Sequence, residues 1–175
     1  MGFVLRAVRL LTMMVWVGGL VFFAFVVAPV AFRVLPSTHE AGMVVQGTLG
    51  ALHKMGEVCG GLFVLATAVL WSRAGTRGRG LLLAQAVLVV LMMGATVWVQ
   101  RGIIPAMEQD RMASGWAIVG AAPSDAVRAD FERLHGLSEK VEGAVLLMGV
   151  GVVGMMGAEG AWGAERSALR SAQGR

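Results

Sequence analysis

The chain has 175 residues, 57% of them hydrophobic and only 15% charged, with a formal net charge of +4 and a single cysteine. A soluble domain carries about a quarter charged residues, so this is too little charge for one, and a lone thiol excludes an internal disulfide. The basic excess does not imply nucleic acid, because the arginines sit at the polar ends of long uncharged runs instead of forming one patch.

The first run, Leu10 to Phe32, contains no charged residue. About 20 residues at 1.5 Å rise cross a bilayer core of about 30 Å, so a span over about 8–32 is predicted. It is longer than the roughly 7–15 apolar residues of a cleaved signal segment. The second run, Val58 to Ser72, is too short alone. It becomes a span, about 46–72, only when extended backwards through His53 and Glu57. Cys59 and the Met-Met pairs inside the spans read as packing residues. The third span, about 81–104, is again free of charge as far as Gln100, and Pro105 kinks or ends it. A polar connection follows, with an amphipathic helix within 105–138. Ser124 suits its N-cap, Asp125 its first turn, and Phe131, Leu134, Leu137 and Val141 form its apolar stripe. The fourth span, about 136–158, again needs a backward extension through a His/Glu segment. Residues 164–175 read as a frayed polar tail.

These elements make an all-α integral membrane four-helix bundle, one domain over 1–163. Arg6 and Arg9, then Arg73, Arg77 and Arg79, then the arginines of the tail fall on one side. Basic short loops stay cytoplasmic, so both termini are expected inside a cell membrane, bacterial inner membrane being the expected setting. Trp71 and Trp98 suit the two interfaces. Gly56 and Gly60, and the run Gly151, Gly154, Gly157, Gly160 and Gly163, allow close helix approach, within the bundle or between copies in a homo-oligomer. The expected partners are the lipid bilayer and a second copy, with no nucleic acid.

Spans two and four are both entered through Leu-His-x-x-x-Glu-x-x-x-Gly: Leu52, His53, Glu57 and Gly61, then Leu134, His135, Glu139 and Gly143. Ionisable residues entering a lipid-buried helix are costly and tend to be functional. His53 and Glu57 share a helix face, as do His135 and Glu139. With Pro29 and Pro105 ahead of them, they outline two helix pairs repeated in parallel. Imidazoles and carboxylates at one depth could hold a transition metal, ligate a haem through both histidines, carry protons, or pair structurally with Lys54 and Lys140. Arg33, Arg111 and Arg133 would lie nearby. No cofactor is required by the sequence, and there is no nucleophile elbow, phosphate loop or cysteine cluster to mark an enzyme.

Phe32-Arg33-Val34-Leu35-Pro36, Pro105, and above all Phe131-Glu132-Arg133-Leu134-His135-Gly136-Leu137-Ser138 resemble the transmembrane protein 205-like family. These are small four-helix membrane proteins of poorly defined function. The resemblance implies a four-helix membrane fold and gives weight to His135 and His53, but it supplies no mechanism. The family commonly has a small polar residue where this chain has Glu142. Three functions follow as expectations: a transport or tolerance accessory protein with an outward-facing His/Glu cluster, a haem- or metal-binding redox protein, or a structural membrane subunit without ligand.

Overall fold

A computed structural model describes residues 2–114 and 126–173, and the side chains of 76–77 and 160–173 are not considered. Four long helices form the chain: α1 (Gly2–Val34), α2 (Thr38–Arg73), α3 (76–113) and α4 (Ala126–Gln173). All four contain a stretch long and apolar enough to cross a membrane, so the protein is an all-α four-helix membrane bundle. Each helix packs on the next, and α4 returns to α1 to close the ring.

The connections follow from local chemistry. Leu35 is extended, as a residue before proline prefers, and Ser37 then caps α2 by accepting the Glu40 N–H at 3.2 Å, the Ser-x-x-Glu pattern of a helix start. Between α2 and α3 only Ala74 and Gly75 are non-helical, both extended, which forces the two helices antiparallel. The expected Ser124 cap lies outside the described residues. α3 runs on past Pro105 to Ala113, so the proline does not end it. α4 is continuous to Gln173, so the backbone of the expected frayed tail is helical that far.

Pro29 and Pro105 are accommodated in the same way. Each follows a five-residue π-helical turn, Phe23–Val27 in α1 and Val99–Ile103 in α3. The N–H just before each proline reaches back five residues, Ala28 to Phe23 and Ile104 to Val99. A proline ring clashes with the carbonyl four residues earlier and cannot donate to it. A turn widened just ahead of the ring relieves that clash without breaking the helix.

The correspondence extends through α1 and α3. At the offset that matches Pro29 to Pro105, the buried residues Arg9, Met13, Trp16 and Leu20 match Gln85, Val89, Met92 and Thr96, which are also buried. The second helices show the same relation through their glycines. A Cβ on Gly60 would lie 2.7 Å from Met93 and 3.0 Å from Trp16; one on Gly149 would lie 3.1 Å from Met92 and 2.6 Å from Val17. Because Trp16 matches Met92 and Val17 matches Met93, the glycines of α2 and α4 sit in equivalent places, with their partners exchanged between halves. This geometry matches α2 to α4 as Gly60 to Gly149, Phe63 to Val152 and His53 to Glu142. His53 therefore does not correspond to His135, and the doubled spelling read in the sequence lies two helical turns out of the structural register.

The core is apolar at mid-depth: Met13, Trp16, Phe63, Val89, Met92, Val145 and Val152. By contrast Gly151, Gly154 and Gly157 have open space where a side chain would go, so that stripe does not pack inside the bundle.

Candidate functional site

Polar residues close the core at both ends. At the end holding the termini, Arg9 is 1% exposed. It donates to Gln85 Oε1, pairs with Glu159 at 3.3 Å and stacks over Phe63 at 4.9 Å. Arg9 and Gln85 are equivalent positions of the two halves, so this contact lies where the halves meet.

The far end repeats the arrangement with His53 and Glu142. His53 is 1% exposed; its Nδ1 lies 2.8 Å from Gln100 Oε1 and its Nε2 2.7 Å from Glu142 Oε1. An amide oxygen only accepts, so Nδ1 donates to Gln100. The remaining contact then holds one proton between Nε2 and Oε1, carried by the imidazolium or by the carboxylic acid. Three helices supply this relay, Gln100 being the second residue of the π turn of α3.

Of the residues singled out in the sequence, only His53 belongs to it. Glu57 lies one turn further along α2, partly exposed. His135 pairs at 3.3 Å with Glu139 on its own helix, both more than half exposed, and stacks on Phe131 with ring centroids 6.1 Å apart. The expected four-residue cluster is thus divided. Both ring nitrogens of His53 are engaged by Gln100 and Glu142, and among the described residues no three His, Cys, Asp or Glu converge as metal ligands do.

Beside the relay lies a cavity of about 430 Å³, within the range of small-molecule sites. Leu20, Phe23, Ala24, Leu49, Met107 and Leu146 are among its apolar walls. Glu142 enters it from α4, and Glu142 Oε2 is buried without a hydrogen-bond partner. Ala24 and Phe32 both line the cavity and are exposed on the bundle surface, so it is reached from the side. At the rim Arg111 donates to Gln46, lies 3.8 Å from Glu108 and stacks over Phe131 at 5.2 Å; Gln46 also donates to Glu108 at 2.9 Å. His135, Ser138 and Glu139 complete the polar lining.

Reading the sequence missed Gln100, Gln46 and Glu108 as site residues and left Glu142 open. Two signals were available. Gln100 is the polar residue that ends an otherwise apolar run, and Glu142 is the acid that directly precedes the last apolar run.

No curated protein and no solved structure matches the chain. Residues 11–114 match a domain of unknown function, DUF4149, a stretch that holds α1 from Leu11 onward, α2 and α3 with both π turns, His53 and Gln100 but stops short of Arg9 and Glu142. The match covers more than half of the chain, which therefore belongs to the DUF4149 family of unknown function.

Proposed function

We propose that the protein takes a small apolar or amphiphilic molecule into the cavity beside Glu142, acting as a transport or tolerance accessory protein of the cell membrane. The observation that carries this reading is an apolar-walled cavity, open at the side, whose lining includes Glu142, a residue with one buried carboxylate oxygen without a partner. A purely structural subunit has no use for such a void, because an unfilled apolar space costs the packing contacts of its lining. The likeness of 131–138 to the transmembrane protein 205-like family accords with this reading, since His135 and Ser138 line the cavity.

The test is photolabelling with an alkyl diazirine in native membranes. Labelling is expected to concentrate on peptides carrying Leu20–Ala28 and Glu142–Leu146, and Ala28→Trp, which fills the cavity, is expected to abolish it. Equal labelling of Ala28→Trp and the parent would overturn the reading.

In the proposed orientation both termini are cytoplasmic and the cavity lies in the outer half of the bilayer. The arginines of the first, third and last polar segments support this through their bias to one side. A Ser114→Cys variant is expected to react with a membrane-impermeant maleimide on intact cells, Cys59 being buried. Protection of that site until the cells are lysed would reverse the orientation.

A further inference from the structure

The two halves differ where the site needs them to. Gln100 fills the space beside His53 and accepts from its Nδ1. The equivalent position in α1, also the second residue of a π turn, is Ala24. It lines the cavity next to Glu142, the equivalent of His53. One half thus completes its buried polar group with an amide. The other leaves out that side chain, and the result is a cavity and an unpartnered Glu142 Oε2.

Both features have one origin, so they describe one ligand. It must place a hydrogen-bond donor where the missing side chain would reach and an apolar body against Leu20, Phe23 and Leu146. The charge lining the cavity decides the donor. Glu139 is already paired with His135, and the only guanidinium lining it among the described residues, Arg111, is held by Glu108 and Gln46, which leaves the unpartnered oxygen of Glu142 as the group a ligand can engage. An anionic head would have to take Arg111 from those partners and lie beside Glu142.

We infer that the cavity binds a cationic amphiphile, an alkyl chain with a protonated amine head, whose N–H donates to Glu142 Oε2. Ala24 is the specificity-determining position that makes room for it. This rests on the cavity reading above and goes further by fixing the head group.

The test uses the full chain in lipid nanodiscs with three probes of equal chain length: decylammonium, decanol and decanoate. Decylammonium is expected to bind about tenfold or more tightly than decanol, as a charge-assisted hydrogen bond against a neutral one implies, with decanoate weakest. Glu142→Gln is expected to remove that preference while decanol binding stays. Ala24→Gln, which hands the carboxylate an internal amide, is expected to reduce decylammonium binding at least tenfold. Folding of each variant is checked by protection of Cys59 from a thiol-reactive dye. Equal binding of all three probes, or tightest binding of decanoate, would overturn the cationic head group while leaving the cavity reading intact. Binding of none above empty nanodiscs would overturn both.

Discussion

Replacing Gly56 by alanine is expected to lower the unfolding midpoint by on the order of 10 °C, about 3 kcal/mol for a chain of this length. Its Cβ would lie 2.6 Å from Trp16 Cε2 and 3.0 Å from Trp16 Cδ1. An indole is rigid, and Trp16 is 1% exposed and also lies against Gly60, so the backbones of α1 and α2 must separate. Separation also loosens Gly60, which touches the same ring. Gly61→Ala is the internal control: nothing lies within 4 Å of its Cβ position, and the change is expected to be neutral or slightly stabilising. The measurement is a thermal ramp in mild detergent with a thiol-reactive dye, the buried Cys59 being the only thiol. Gly56→Ala combined with Trp16→Leu is expected to recover part of the loss. A Gly56→Ala protein as stable as Gly61→Ala would mean that α1 and α2 do not approach as closely as described.

Glu159→Ala is expected to cost about 2–3 kcal/mol in the same assay. It strands the Arg9 guanidinium, which is 1% exposed and pairs with Glu159 at 3.3 Å. Removing one partner of a buried pair costs about 3–5 kcal/mol; the 20% exposure of Glu159 places this case at or below that range. Arg6 also reaches Glu159, at 3.7 Å, but is 58% exposed, so Arg6→Ala is expected to cost less than about 0.5 kcal/mol. The discriminating result is the double variant. Arg9→Met with Glu159→Ala removes the stranded charge along with its partner and is expected to be more stable than Glu159→Ala alone, a coupling of about 2 kcal/mol. Additive losses would show that Arg9 gains nothing from Glu159.

The fold was legible in the sequence because hydrophobic length is a one-dimensional signal. Uncharged runs such as Leu10 to Phe32 give the spans, and Pro29 and Pro105 mark the repeat in the odd-numbered helices. The site was legible only in part, because pairing across helices is not written in local spacing. His53 and Glu142 meet through the packing of α2 against α4, whereas the matching His135 and Glu139 attract the eye by spelling and lie at the exposed rim. A repeat in which His is answered by Glu, Gln by Ala and Trp by Met keeps its geometry and loses its letters. The π turns were equally hidden, since proline in a membrane helix predicts a kink as readily as a widened turn.

Those two turns also set the mechanics of the cavity. Its walls from α1 and α3 include Ala28, Phe32, Ile104, Met107 and Arg111, all past the widened turns on short helical ends. Up to each turn the helix is fixed by the interlocked core; beyond it, the end is joined through a turn wider than the α-helix on either side. The position of these walls relative to the core is therefore set at the two widened turns, where Phe32 and Met107 are each carried on the short segment beyond.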